Sequence, residues 1–414
     1  MNDVVKQIVP RLRFQSFKTL GPWGSETLGQ LAQRSIRKNA EGKITRVLTN
    51  SAEYGVVDQR DFFEKDIANQ GNLEGYYVVE EGYYVYNPRV STTAPVGPIS
   101  KNKIGLGVMS PLYMVFKFNN SENDFYAHYF KSTHWHQYMR QVSSTGARHD
   151  RMNISNNAFM KLPLPVSTPE EQQKIADCLS SLDALITAEV QKLDALKKYK
   201  KGLMQKLFPR EGESLPKIRF PNFQGTAEWK ICSFGDFIEE YRGKSTYQDE
   251  YEVLTSARSG LIRQREYYDN ERITERDNIG FNIIPTSYIT YRSRSDDRRF
   301  YFNENNLGIT GIISTYYPVF RINEGVNKFF IELLAQYAEF VGKHSVGTSQ
   351  TVLSLNELRR IKLPIPTEAE QRDIANCLYS FDNMIVAQDQ KIEALKTFKK
   401  GLLQHIFPKV TEVV

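Results

Sequence analysis

Arginines, lysines and side-chain amides crowd the turns of this sequence, and they fall into two groups. The first comprises Arg34, Arg37, Lys38, Asn50, Asn87, Arg89, Lys101 and Lys103. The second comprises Arg242, Lys244, Arg258, Arg263, Arg265, Arg292, Arg294, Arg298 and Arg299. A similar loop follows each group. Ser143–His149 carries Thr145, Arg148 and His149; His344–Gln350, just after Lys343, carries Thr348, Ser349 and Gln350. Arg and Lys neutralise phosphates, and Arg, Asn and Gln also pair bidentately with base edges. Gly146 and Gly347 permit a tight backbone in the two loops. This is the chemistry of gripping and reading a nucleic acid. For any single residue a solvated surface position is an equal reading; the clustering is what points to DNA.

Bond-making chemistry is harder to find. Gly243-Lys244-Ser245 ends like a phosphate loop, but the earlier glycine that such a loop needs would fall at Ile238. Ile104-Gly105-Leu106-Gly107 is too short to cradle a nucleotide. No Cys/His set has zinc spacing. His134 and His136 flank Trp135 in a helical run and read as packing or surface residues. The Asn-Pro-Pro-Phe type of motif found in adenine methyltransferases is absent. Cys178, Cys232 and Cys377 are too few for a disulfide framework, so a reducing cytoplasm is expected. No stretch is long and apolar enough to suggest a membrane span, and Met1–Pro10 does not read as a secretory signal. The net charge of +6 is compatible with an acidic partner without requiring one.

The elements that must position these residues are duplicated. LDALKKYKKGLMQKLFP (193–209) aligns without a gap with IEALKTFKKGLLQHIFP (392–408), at an offset of 199 residues. Upstream, Leu162-Pro163-Leu164-Pro165 and Glu171-Gln172 match Leu363-Pro364-Ile365-Pro366 and Glu370-Gln371. The match continues more weakly: Pro10–Phe14 and Trp23 against Pro216–Phe220 and Trp229, and Tyr83–Arg89 against Tyr288–Arg294. Each half is a diverged module followed by a well-kept segment. Such a pattern fits two modules doing one kind of job on different targets, joined by the same machinery.

Both kept segments predict long helices. Thr168-Pro169-Glu170-Glu171 supplies a cap, a first-turn proline and acidic residues, and Thr367 with Glu370 forms a capping box. Ile175, Leu179, Leu182, Ile186, Val190, Leu193, Leu196, Leu203 and Leu207 recur at steps of three, four or seven. So do Ile374, Leu378, Phe381, Ile385, Ile392, Leu395, Phe398, Leu402 and Ile406. Cys178 and Cys377 sit beside these stripes as small packing residues. A helix of about 35 residues spans on the order of 50 Å. That is too long to bury its stripe on one module, so the two helices are expected to pair antiparallel about a pseudo-twofold axis. The alternative is that each packs on its own module. The lysines of the polar faces, among them Lys197, Lys200, Lys396 and Lys399, read as solvated, as facing DNA or as facing a partner. The modules themselves mix short aromatic and β-branched runs, such as Tyr76–Val79, Gly82–Tyr86, Met114–Phe116 and Ser287–Tyr291, with helical spacing at Phe125–Gln141 and Asn327–Val341.

The expected fold class is thus mixed α/β: two recognition modules in tandem, each followed by a long helix, with the helices paired as an antiparallel coiled coil. The expected bounds are 10–165 and 216–366 for the modules and 166–209 and 367–408 for the helical segments. On the paired Leu-Pro-X-Pro…Glu-Gln segments, Ile175-Ala176 and Ile374-Ala375, and the Lys-Lys-Gly-Leu…Phe-Pro endings, the chain resembles the specificity subunits of type I restriction–modification systems. The resemblance implies two target recognition domains, each reading half of a bipartite, asymmetric duplex sequence. It implies helices that fix the spacing and dock two modification (methyltransferase) and two restriction (motor and nuclease) subunits. S-adenosylmethionine, ATP and Mg2+ would be bound by those partners, and this chain would bind no cofactor and be noncatalytic. Two other readings stay open: a coiled-coil adaptor that does not read DNA sequence, and a free-standing restriction–methylation protein, for which the catalytic motifs are missing.

Overall fold

The computed structural model describes residues 8–63, 73–144, 150–258, 260–267, 277–348 and 350–410. Each Leu-Pro-X-Pro motif forms a short strand. Pro163–Val166 pairs antiparallel with Gly24–Thr27, and Lys362–Ile365 pairs in the same way with Lys230–Ser233. Proline has no N–H to donate, so a two-stranded pair of this kind accommodates it where a central strand would not. The period of two sends Leu162 and Leu164 into one core, and Leu363 and Ile365 into another.

Both modules carry a four-stranded antiparallel sheet in the same order. In the first, the neighbours run Ala32–Arg34, Met114–Phe118, Tyr84–Tyr86, Ile99–Lys101. In the second they run Ile238–Glu240, Val319–Ile322, Ile289–Tyr291, Phe302–Glu304. The duplication therefore reaches the topology of the diverged parts. The hairpin Leu48–Ser51/Gly55–Asp58 of the first module corresponds to Glu252–Ala257/Gly260–Arg263 of the second. Each expected module helix is broken in two: Asp124–Tyr129 and His136–Val142, then Asn327–Gln336 and Ala338–Lys343. At each break an aromatic residue turns inward and bonds a carbonyl. The Trp135 indole donates to Phe130 O (3.1 Å), and the Tyr337 hydroxyl donates to Pro209 O (2.8 Å).

The kept segments form helices Pro169–Leu207 and Glu368–Ile406, 39 residues each, or about 58 Å at 1.5 Å per residue. The chain divides into two compact units, residues 1–190 with 390–414, and residues 191–389. The division falls within the helices, not at the module–helix boundaries. Each unit thus holds one module, the start of the helix that follows it, and the end of the other helix. In the first unit Asp183 meets Lys399 and Glu189 meets Lys391, so the two helix segments run antiparallel. In the second, Lys200 meets Asp382 (2.6 Å), while Leu203 and Leu207 share a core with Ile374 and Leu378.

Of the expected pairing residues, Ile175, Leu179, Leu193, Ile374, Leu378 and Ile392 are buried. Leu182, Ile186, Leu196, Phe381, Ile385 and Leu395 are half-buried. Two other stripe positions are corrected: Val190 is 37% and Phe398 60% exposed. The solvated reading of Lys399 and Lys200 is corrected as well. Lys399, next to Phe398, turns inward to Asp183, and Lys200 sits half-buried between Asp382 and Glu332.

Candidate nucleic-acid interface

In the second unit the strand Arg294–Ser295 pairs antiparallel with Thr351–Val352, which places Arg294 opposite Val352. This pairing brings the expected loop beside the expected arginines. Val346 and Val352 close the loop with reciprocal backbone hydrogen bonds. Gly347 turns it at φ +122°, where an added Cβ would lie 2.4 Å from Gln350 O; only glycine fits. Thr348 and Gln350 are exposed, and the Gln350 amide lies 3.5 Å from Asp296 Oδ1. The Arg294 guanidinium rests 4.0 Å from the centroid of the Tyr316 ring. Arg258 reaches Asp297 (3.1 Å) and the Tyr301 ring. Hydrogen bonds from the Ser295 hydroxyl and the Arg299 N–H hold the Asp297 carboxyl below its ordinary pKa. Arg292 and Arg298 are exposed, and Arg298 carries a left-handed backbone at φ 57°. Tyr316, Tyr301, Asp296 and Asp297 had no place in the sequence reading. The aromatic turn Ser314-Thr315-Tyr316-Tyr317-Pro318 was the signal available for one of them.

Other expected contacts of this unit lie in local pairs: Arg242 with Glu240, Lys244 with Asn282, Arg263 with Glu266, and Lys343 with Glu211. The three exposed ion pairs among these, Arg242–Glu240, Arg263–Glu266 and Lys343–Glu211, are worth at most about 1 kcal/mol each, so they open readily to a polyanion. Ser349 lies outside the described residues, as do Thr145, Arg148 and His149 of the first unit.

The first unit treats its candidates differently. Asn50 is 2% exposed, and its amide donates to Val85 O (2.8 Å) and Pro98 O (3.1 Å). It is a structural strut, not the exposed loop amide expected from the sequence. Asn87 donates to Asn50 O and accepts from Arg89 N, which ties one strand end to the next. Arg34 is half-buried, within 3.5 Å of the Tyr77 hydroxyl. Lys101 and Lys103 flank Asp124 at 2.8 and 3.5 Å. Lys38 and Arg89 remain exposed.

Beneath both faces lies the same frame. Glu171 is fully buried and takes both arms of Arg13 (2.7 Å each), the Trp23 indole N–H (3.0 Å) and the Ser167 hydroxyl. Burial pushes its carboxyl up, but the bonds from Arg13 and Ser167 outweigh burial and hold it below its ordinary value. Glu370 takes both arms of Arg219, at 2.8 and 2.6 Å. The glutamines beside them anchor the preceding loop: Gln172 donates to Ser167 O and Gln371 to Pro366 O. The Phe-Pro endings are core plugs. Phe407 packs on Phe125 (5.1 Å) and Tyr129 (5.4 Å) in the first unit, and Phe208 packs on Trp229 (6.3 Å) and Phe329 (5.6 Å) in the second. Among the described residues no cluster of His, Cys, Asp and Glu is arranged to hold a metal, and no helix is long and apolar enough to cross a membrane.

Comparison with known proteins agrees with this arrangement. The type I restriction modification DNA specificity domain matches twice, over residues 28–198 and 227–397. The type I restriction enzyme MjaVIII specificity subunit of Methanocaldococcus jannaschii is 25% identical over 335 residues, which cover 73% of this chain and 70% of that protein. A putative MjaX specificity subunit from the same organism is 24% identical over 280 residues, covering 64% and 62%. Among solved structures, the S subunit of a type I restriction–modification system from M. genitalium superposes with a TM-score of 0.54 at 15% identity, covering 98% of this chain and 100% of that one. A chain from a study of assembly and conformational transition in a type I system gives 0.55 at 15%, covering 94% and 98%. These two share the fold. With its two matched domains spanning most of its length, the chain belongs to the type I restriction–modification DNA specificity family, as a subunit with two recognition domains.

Proposed function

We propose that each module reads one half of a bipartite, asymmetric duplex target, and that the helices set the gap between the halves. One observation carries this reading: a frame of the same parts, a Glu–Arg clamp, a strand pair and a core plug, occurs twice while the faces differ in chemistry. The first face offers Lys38 and Arg89, the second a ring-backed arginine, further arginines and a glutamine loop. A repeated frame with unlike faces suits two different half-sites better than one repeated ligand. Rigid elements between two readers make spacing a property of geometry.

On this reading the chain supplies recognition and scaffolding in the cytoplasm and binds no cofactor itself. Two modification subunits dock on it, bind S-adenosylmethionine, and methylate adenine after flipping it from the duplex. Two restriction subunits add the ATP- and Mg2+-dependent motor and nuclease. The test is to sequence methylated adenines in the host genome with and without the gene. A bipartite motif that vanishes with the gene supports the reading. Adding one helical turn to both long helices should then change the gap, and an unchanged gap removes the spacer role. An adaptor that ignores sequence predicts no preferred duplex once salt suppresses nonspecific binding.

A further inference from the structure

We propose that Arg294 is the base-reading arginine of the second module and that it recognises a guanine in that module's half-site. The inference rests on the DNA-reading function above. Three observations single out this residue among its neighbours.

The first is how the guanidinium is held. Arg258, Arg242, Arg263 and Arg321 of the same unit each lie against a carboxylate. Arg294 is oriented by the face of Tyr316 at 4.0 Å, with no carboxylate within ion-pair distance among the described residues. An aromatic face fixes the plane of a guanidinium while leaving its N–H edge free. A planar fork with a free edge is what the O6/N7 edge of guanine accepts.

The second is the rigidity of the backbone that carries it. Ser293 N and its hydroxyl both donate to Tyr316 O (3.2 and 2.6 Å), and Leu353 N donates to Ser293 O (2.9 Å). On the other side the Thr351 hydroxyl donates to Ser295 O (3.0 Å). Arg294 is locked between the loop that supplies its ring and the strand that follows Gln350. A reader on a fixed strand loses little conformational freedom on binding.

The third is what stands around it. Thr348 and Gln350 are exposed on the loop closed by Val346 and Val352, and Asp296 lies two residues beyond Arg294. Tyr316 is 48% exposed, so the stacked pair faces solvent. The corresponding position of the first module, Arg89, hydrogen-bonds through its backbone to Asn87 and lies opposite Arg151. Both modules thus place an arginine here, and among the described residues an aromatic ring backs Arg294 but not Arg89.

The experiment uses the full chain assembled with its modification subunits, selecting from duplexes randomised over both half-sites. Wild type should yield a bipartite consensus; failure to select any sequence would sink the DNA-reading function itself. Arg294→Lys keeps the charge and loses the fork. It should lower discrimination for one guanine, in one half-site, by roughly 10- to 100-fold, with the other half unchanged. Tyr316→Leu, which leaves the arginine in place, should weaken the same guanine. Arg321→Ala should leave the consensus intact. The assignment is overturned if Arg294→Lys selects the wild-type consensus. It is equally overturned if Arg294→Ala weakens all sequences alike while the salt slope falls by about one, because that is the behaviour of a phosphate contact.

Discussion

The two units build the same junction between module and helices, and they balance its charges differently. In both, an aspartate of one helix meets a lysine of the other: Asp183 with Lys399, and Asp382 with Lys200. These are equivalent residues, 199 apart. The module supplies the rest. In the first unit it adds Lys131, 3.3 Å from Asp183, and His128, whose Nε2 meets the Ser180 hydroxyl at 2.9 Å and whose Nδ1 lies 3.9 Å from Asp183. One carboxylate therefore faces two ammonium groups and an imidazole. In the second unit the module adds Lys328 and Glu332, and two carboxylates face two ammonium groups. Burial and then repulsion from Lys131 lower Lys399 below its ordinary value, against the pull of Asp183. Burial also lowers Lys328, but Glu332 and Asp382 raise it above its ordinary value. The lesson is that the kept frame requires only the Asp–Lys contact, and each diverged module completes it in its own way.

The largest difference should appear when the clamps are broken. Glu171→Ala strands Arg13, Trp23 and Ser167, whereas Glu370→Ala strands Arg219. Removing one partner of a buried pair costs about 3–5 kcal/mol, with the first unit at the upper end. Native-state hydrogen exchange resolved by unit measures this, and equal losses would erase the contrast.

Acid comes next. Burial, then Lys131 and Lys399, depress His128 from 6.5 to about 4 against the weaker pull of Asp183. The unfolded chain binds the extra proton between those values, so stability from this site is complete above about pH 6.5 and is lost as pH falls towards 4. The shift corresponds to roughly 3 kcal/mol. Asp382 keeps its partners through this window: burial raises its carboxyl, but Lys200 and Lys328 hold it below the ordinary value. The first unit should loosen between pH 6.5 and 4 while the second does not, and His128→Asn should reduce the slope without abolishing it, because burial also lowers His136 to about 4. Parallel exchange profiles in both units would count against the charge contrast.

A smaller effect concerns the tryptophans. The Trp23 indole donates to Glu171, while Trp229 Nε1 is buried and has no hydrogen-bond partner among the described residues. Trp23→Phe should cost about 1–2 kcal/mol more than Trp229→Phe; equal midpoints in denaturant would contradict the assigned geometry. Smallest of all, a Cβ at Gly202 or Gly401 would have no neighbour within 4 Å among the described residues beyond its own helix backbone. Alanine at either site should stabilise its helix by up to about 1 kcal/mol, and a loss instead would show that the glycine conformation is used.

Much of this was legible in the residues. The duplication, the long helices and most of the apolar stripe follow from spacing, because side chains three and four apart share a helix face; the capping box expected at Thr367 does not, since the Glu370 carboxylate is taken by Arg219. The strand runs were visible for the same reason, at a period of two. What periodicity does not report is partnership over long range. Asn50 looked like a surface amide, yet it holds two carbonyls of its own module. Lys399 looked solvated, yet it is buried and turned inward to Asp183. Tyr316 stood unremarked until the fold set it under Arg294.

By itself, then, the sequence determined that one frame is used twice and that the faces above it differ, since repetition and divergence are properties of residue order. Only the tertiary structure decided how the frame is assembled. The helix that begins beside the first module ends with Phe208 in the core of the second unit, and the other ends with Phe407 in the core of the first. The physical reason is length. A stripe running along 39 residues exceeds what one module can cover, so each helix buries its start and its end in different cores.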